Sequence, residues 1–411
     1  MAVEALRRVH RGAFAAPSIS SLLGRLTDGR ERALLTDLVY GTLRHEILLD
    51  ACLAPLLRNP ERLPADVRNA LRAGSYELLV RKTAPHAAVA EWVEVVKSLS
   101  TRLSGLANAV LRRARIPEEL PPHLRCSLPQ WLYLRFRELL GDEADAAGLG
   151  MLEPEPLWLT AFPGDGRNDP AQVLAAQGCE VRPGPLPGTL AVRPSRPLGE
   201  LEAFTGGLVQ PQNPASLLPA IALGAKEGER VLDLASGNGI KAAQLAAAGA
   251  LVEAFEVDPR KVERARSNLR RLGLEVEHHV ADLRQPPGAE AAPKVLLDAP
   301  CSGTGTLRGN PEIKLRLDGA AVAELARLQS DLLDTAAKLT EPGGRLVYSV
   351  CALTPEEGPD QVERFLRRHP EFRPEALALP LPLRSAGAGG VVPPIGGLDG
   401  FFVASLRMER A

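Results

Sequence analysis

The sequence predicts an α/β chain in three parts: an all-helical segment over 1–140, a small α+β bridging segment over 141–225, and an alternating strand–helix segment over 226–411. Three patterns carry this division. Apolar residues recur at three- and four-residue spacing through the first part, Pro and Gly crowd the second, and short apolar runs alternate with amphipathic ones in the third. The 411 residues supply enough chain for two or three domains. A composition of 45% hydrophobic and 24% charged residues is that of a globular protein and excludes a wholly disordered one. With 4% aromatics, aliphatic side chains must fill the cores.

The longest apolar run, Leu245 to Val252, falls far short of the ~18 residues a membrane span needs, so no membrane is expected. Arg7, Arg8 and Arg11 are followed by no apolar block, so no secretory leader is expected. The five cysteines (Cys52, Cys126, Cys179, Cys301, Cys351) form no CxxC pair. That argues against a disulfide framework or a metal cage and for the reducing cytoplasm. The net charge of −1 hides an asymmetry, because residues 1–140 carry 21 Lys and Arg against 14 Asp and Glu. A basic module points to a polyanionic partner or simply to a solvated face.

In the first part, Leu34, Leu35, Leu38, Val39 and Leu43 share one face of a helix over 30–44. Val67, Leu71, Gly74 and Leu78 repeat the pattern, as do Val89, Trp92, Val93, Val96 and Leu99 after Pro85. A short helix over 103–111 runs into Arg112, Arg113 and Arg115. Cations there favour the helix dipole, or they grip phosphates. In the second part, strands are expected at 157–161 and 190–192. Asp169 should cap a helix over 170–177.

In the third part, strands are expected at 231–234, 251–257, 276–280, 295–297, 346–349 and 401–406. Helices are expected at 241–248, after the Asp258-Pro259 start, and over about 319–339, with Gly273 ending the second of these. Strands alternating with helices imply a parallel sheet, and ligands of such sheets sit beyond the carboxyl ends of the strands.

The residues just after each strand are therefore the candidates for chemistry. After the first comes the turn Ala235-Ser236-Gly237-Asn238-Gly239-Ile240-Lys241, whose glycines let backbone approach a ligand closely. Glu256 ends the second strand, where a carboxylate holds ribose hydroxyls. Together they predict a Rossmann-like fold that binds an adenosine-type cofactor. Asp282 follows the third strand and stands where an adenine amino group would be met, or is a plain turn residue. The fourth strand leads into Asp298-Ala299-Pro300-Cys301-Ser302-Gly303-Thr304-Gly305, and the fifth ends in Tyr348-Ser349-Val350-Cys351. Two thiols at neighbouring strand ends, one beside an acid, are unlike inert core cysteines.

A thiol, an acid and an adenosine cofactor suit one reaction in particular. Carbon 5 of a pyrimidine is a poor nucleophile until a thiolate adds at C6 and makes it an enamine carbon. A carboxyl group at N3 stabilises that adduct. The base must leave its stack, or already be unpaired, to reach the thiol.

The stretch Asp298 to Gly305, then Asn310-Pro311-Glu312-Ile313-Lys314, Tyr348 to Cys351 and Pro355-Glu356-Glu357, resembles the RNA cytosine-5 methyltransferases of the NOL1/NOP2/Sun family. Residues Arg32 to Arg44 resemble the NusB-type RNA-binding helical domain. The pairing of the two is similar to bacterial methyltransferases of small-subunit (16S) ribosomal RNA. The resemblance implies S-adenosyl-L-methionine as cofactor and small-subunit ribosomal RNA as partner. It implies that Cys351 is the nucleophile, that Cys301 helps release the product, and that Asp298 meets the cofactor and base N3. It further implies that Ala235–Lys241 wraps the methionine part, with Glu256 at the ribose and Asp282 at the adenine. Ala235 to Lys241 departs from the family's usual Cys-Ala-Ala-Pro-Gly-Gly-Lys, keeping Gly239 and Lys241. Glu256 replaces the commoner Asp, Gln212-Asn213-Pro214-Ala215-Ser216 the usual Gln-Asp-x-Ala-Ser, and Val350 a common Thr. The alternatives are a non-catalytic ribosome-assembly factor and a nicotinamide-dependent oxidoreductase built on the same glycine loop. No heptad repeat demands a dimer, so a monomer is expected.

Overall fold

The computed structural model describes residues 1–154, 156–162, 169–285 and 288–410. Pro163, Gly164 and Gly166, part of the Pro/Gly-rich signal of the second segment, lie outside the described residues. The chain divides into two compact units. One comprises Met1–Leu134, Ala144–Pro154 and Leu307–Arg316, and the other Arg135–Glu143, Glu155–Thr306 and Leu317–Ala411.

The first unit is helical throughout its described residues. The helix expected over 30–44 runs over Gly29–Leu53, because Asp28 caps its start by accepting from Arg30 N–H and no breaker follows until Pro55. Leu38, Val39, Leu43 and Leu49 pack there with Leu71, Trp92 and Val96 in one aliphatic core. Gly41 is required by close approach, since a Cβ there would lie 1.9 Å from the Tyr76 ring. Tyr76 Oη donates to Asp37 nearby.

Sequence periodicity did not show that Leu307–Arg316 belongs to this unit. Arg44 Nε donates to the Arg308 carbonyl at 2.7 Å, Ala15 N–H to Glu312 Oε1 at 2.9 Å, and Lys314 Nζ to the Arg44 carbonyl. Arg316 donates to the Val9 carbonyl. Glu312 and Lys314 are almost wholly buried, and burial pushes the Lys314 ammonium down to about 7.

The second unit holds two sheets. Strands β1 (Leu157–Ala161), β2 (Glu180–Pro183), β3 (Thr189–Arg193) and β4 (Val209–Pro211) pair antiparallel in the order β2-β3-β1-β4. They enclose a small core of Leu159, Leu174, Val192 and Leu201. Asp169 caps the helix Pro170–Ala176, as expected.

The larger sheet contains β5 (Arg230–Leu234), β6 (Leu251–Glu256), β7 (Glu277–Val280), β8 (Ala292–Asp298), β9 (Thr340–Val350), β10 (Phe372–Glu375), β11 (Arg384–Ala386), β12 (Gly389–Val392) and β13 (Phe401–Met408). Its order is β11-β12-β13-β9-β8-β5-β6-β7, with β10 also on β13. Five strands, β5 to β9, are parallel, whereas β10 to β13 join antiparallel, so the expected parallel sheet is mixed. The cause lies in the connections. Helices link β5 to β6, β6 to β7 and β8 to β9, but β11 turns directly into β12 and a short loop takes β12 into β13, and such turns reverse the chain.

Helix Ile240–Ala247 packs on β5 and β6, Pro259–Leu272 on β6 and β7, and Gly319–Lys338 on β8 and β9. Asp258 and Gly273 bracket the middle one as the sequence indicated, Gly273 with φ of 67°. Strand order reverses at β5, which places a ligand crevice beyond the carboxyl ends of β5, β6 and β8.

Candidate active site

Three backbone turns build the crevice floor. Leu234 pairs with Phe255 and with Leu297, so the ends of β5, β6 and β8 lie level. Beyond β5 the chain takes φ of 58° at Ala235, 60° at Gly237 and 72° at Gly239. A left-handed alanine is a strained choice, which glycine would relieve. At Gly237 a Cβ would meet nothing within 4 Å, so the loop's rim is open to a ligand. At Gly239 a Cβ would lie 2.9 Å from Ala265 Cβ, so that glycine serves helix packing.

Glu256 sits under this loop. Its Oε2 accepts from Gly237 N–H at 3.0 Å and its Oε1 from Asp258 N–H at 2.9 Å. It is nearly buried, yet each oxygen keeps lone pairs for a ligand hydroxyl. Ser236 Oγ lies 3.3 Å from His278 Nε2, and burial, helped by Arg266, pushes that imidazole down to about 4, so it is neutral. Asn238 is exposed and accepts from Arg264. Ile240 begins the helix.

Lys241 turns away from the loop's rim. Its Nζ donates to Asp298 Oδ2 at 2.6 Å and lies over the Phe401 ring, 5.2 Å from its centre. Burial alone would push the ammonium down. Asp298, with Cys351 and Asp233 behind it, reverses this and holds it above the ordinary lysine value. Asp298 is also gripped on the other side, because Ser349 Oγ donates to its Oδ1 at 2.7 Å. The register that sets Asp298 beside Ser349 is the reason these groups meet.

The two thiols follow from the same register. Cys301 lies three residues past Asp298 and Cys351 two past Ser349, and their sulfurs stand 3.4 Å apart, each half-buried. The hydrogen bond to Cys351, together with burial, pushes the Cys301 thiol well up. Asp282 stands apart from this cluster in hydrogen bonding: Arg284 clamps its carboxyl two residues on and holds it below the usual carboxylate range.

Two groups escaped the sequence reading. Asp233, wholly buried in β5, is pushed up to about 8 by burial and by the charge of Asp298. An acid inside an apolar strand was the available signal. Glu357, quoted only as part of a motif, lies wholly buried among donors from three segments.

An open glycine turn, a carboxylate at the next strand end and a carboxylate–ammonium pair at the fourth fit a nucleoside-bearing cofactor with a charged amino-acid tail. The comparisons agree. Residues 220–407 match the family model for 16S rRNA methyltransferase RsmB/F, and residues 1–115 match the NusB family. The ribosomal RNA small subunit methyltransferase B of Thermus thermophilus is 47% identical over 99% of this chain and 96% of its own length. That of Klebsiella pneumoniae is 31% identical over 100% and 98%. The crystal structure of PH0851 superposes with a TM-score of 0.80 at 28% identity, covering 98% of this chain and 97% of that one. NSun6 from Pyrococcus horikoshii, solved with SFG, shares the fold at a TM-score of 0.62, with 21% identity over 70% of this chain and all of that one. These relatives set aside the nicotinamide alternative, and the chain belongs to the RsmB/F family of S-adenosylmethionine-dependent 16S rRNA methyltransferases.

Proposed function

We propose that the chain methylates carbon 5 of a cytosine in small-subunit ribosomal RNA through a covalent bond from Cys351 Sγ to cytosine C6. The observation that carries this is the pair of sulfurs 3.4 Å apart beside an acid at the crevice edge. Bound S-adenosylmethionine supplies an electrophilic methyl group. Ala235 to Lys241 and Glu256 would hold it, with Asp282 on the adenine side and Asp298 near both cofactor and base.

The residues then divide the work. The Cys351 thiolate adds to C6, and the C5=C6 electron pair moves to C5, which takes the methyl. Asp298, steadied by Lys241 and Ser349, faces N3 and stabilises the charge that the addition places on the ring. Transfer of the C5 proton to solvent water restores the double bond as the Cys351 Sγ–C6 bond breaks and Cys351 leaves as thiolate. Cys301, its sulfur 3.4 Å from that of Cys351, assists that release.

The three-part division follows the same logic: 1–140 binds RNA, 141–225 bridges, and 226–411 catalyses. Arg112, Arg113 and Arg115 are exposed at the end of helix Ser104–Leu111 and line a cleft of about 950 Å³ with Leu56 and Ile116. That charge suits a phosphate backbone. No helix among the described residues is long and apolar enough to cross a membrane. The five cysteines are free thiols, which fits a protein working in the reducing cytoplasm. The test is incubation of unmodified small-subunit RNA with the protein and S-adenosylmethionine, followed by nucleoside mass analysis. The expected product is 5-methylcytidine, and an unmethylated RNA overturns the proposal.

A further inference from the structure

The thiol geometry raises the question of what holds two loops from different strands with their sulfurs in contact. Glu357 answers part of it. Its Oε1 accepts from Ser302 N–H at 2.8 Å and from Gln329 Nε2 at 3.1 Å. Its Oε2 accepts from Ser302 Oγ at 2.5 Å and from Thr354 Oγ at 2.7 Å. Four donors from three segments thus converge on one carboxylate that has no exposed surface.

Gln329 completes the arrangement. It comes from the middle of helix Gly319–Lys338 and is wholly buried. Besides Glu357, its Nε2 donates to the Pro300 carbonyl at 3.0 Å. Pro300 and Ser302 flank Cys301, so the peptide groups on both sides of that cysteine are held by one Gln–Glu pair. The carboxylate is itself anchored to the Cys351 side. Thr354 lies three residues beyond Cys351, and Tyr348 Oη donates to the Glu357 carbonyl at 2.7 Å. Neither Glu357 nor Gln329 has a reacting atom within its hydrogen-bond reach. A buried carboxylate with four donors is costly to remove, because each donor is then left unpaired. Packing alone needs no such device between two loops.

We propose that Glu357 and Gln329 act as a positioning pair that fixes Cys301 against Cys351, and that their task is release of the covalent product rather than its formation. This rests on the sulfur roles proposed above. Cys351 sits at the end of β9, held by that strand's register, whereas Cys301 sits on a loop whose adjacent peptides depend on the pair. Loosening the pair therefore moves Cys301 more than Cys351. The first step survives and the second fails.

The test uses the full chain with unmodified small-subunit RNA and S-adenosylmethionine, in four forms: wild type, Cys301→Ala, Glu357→Gln and Gln329→Met. Turnover, KM for RNA and the fraction of protein carrying RNA on a denaturing gel are measured for each. Misplacing a reacting group by about 1 Å costs on the order of 100-fold in rate, which is the loss of kcat expected for Glu357→Gln, with KM within about 3-fold. The protein–RNA adduct should accumulate in both positioning variants as it does in Cys301→Ala, an outcome that general loosening of the fold does not give. Should Glu357→Gln fail to fold, Gln329→Met decides, since it leaves the carboxylate three other donors. Normal turnover in the variants, or lost turnover without adduct while Cys301→Ala accumulates it, overturns the inference. If Cys301→Ala itself accumulates none, the sulfur assignment fails and the inference falls with it.

Discussion

Lys241 Nζ donates to Asp298 Oδ2 across 2.6 Å, joining the helix after β5 to the end of β8. The lysine of the glycine loop thus serves the acid beside the thiols. Replacing it by methionine leaves Asp298 with Ser349 as its remaining partner and leaves Asp233 without the cation that offsets it. We expect Lys241→Met to lose about 2 kcal/mol of stability, the worth of a charged hydrogen bond, by chemical denaturation. Methyl transfer should fall about 100-fold or more, the usual effect of removing one electrostatic stabiliser. Unchanged turnover would mean that Asp298 works without its cation.

Glu256 accepts two backbone N–H groups and is the carboxylate we propose for the cofactor ribose. Glu256→Gln presents an amide donor where an acceptor is needed. Calorimetric titration with S-adenosylhomocysteine should show affinity lower by about 10-fold or more, with RNA affinity unchanged. Equal loss of both would point to a collapsed loop instead.

Asp233 makes stability depend on pH in a definite direction. Its carboxyl is raised from 3.8 to about 8 in the fold, so the folded chain holds a proton that the unfolded chain gives up between those values. Its contribution is complete below about pH 4 and is lost as pH rises through about 8. Asp233→Asn has no such proton. Denaturant unfolding across pH 4–9 should show the variant gaining on wild type up to about pH 8 and levelling above it. A constant difference would show that Asp233 is charged in the fold throughout.

The arginines after helix Ser104–Leu111 are proposed to grip RNA phosphates. The triple variant Arg112→Glu, Arg113→Glu, Arg115→Glu should bind small-subunit RNA at least about 10-fold more weakly. Its log Kd should also depend less steeply on log salt, by up to about three phosphates' worth of slope. S-adenosylhomocysteine affinity should not change. Wild-type salt dependence in the variant would return these cations to a purely structural role at the helix end.

Much of this arrangement was legible in the residues. The strands β5, β6 and β8, the helix caps at Asp258 and Asp169, and the stop at Gly273 follow from short-range rules that act within a few residues. The thiol pair was legible as well, because two cysteines past adjacent parallel strands must approach once the register is set. What stayed hidden depends on partners distant in sequence. Leu307–Arg316 packs on residues about three hundred positions earlier, including Ala15 and Val9, which no local pattern encodes. The antiparallel strands β10 to β12 are short and carry Pro, Arg and Gly, so they have little alternation to detect. Lys241 was placed with the cofactor loop, yet its long side chain reaches another strand. Glu357 and Gln329 are polar residues in amphipathic surroundings, and their burial appears only once three segments are brought together.

The central claim is that Cys351 forms the bond to C6, and trapping that bond tests it most directly. Small-subunit RNA transcribed with 5-fluorocytidine takes the addition and the methyl, but fluorine cannot leave as a cation, so the adduct persists. Digestion and mass sequencing of the trapped protein should place the modified nucleotide on the peptide containing Cys351, with none formed by Cys351→Ala. Attachment at Cys301, or trapping that survives in Cys351→Ala, would contradict the account.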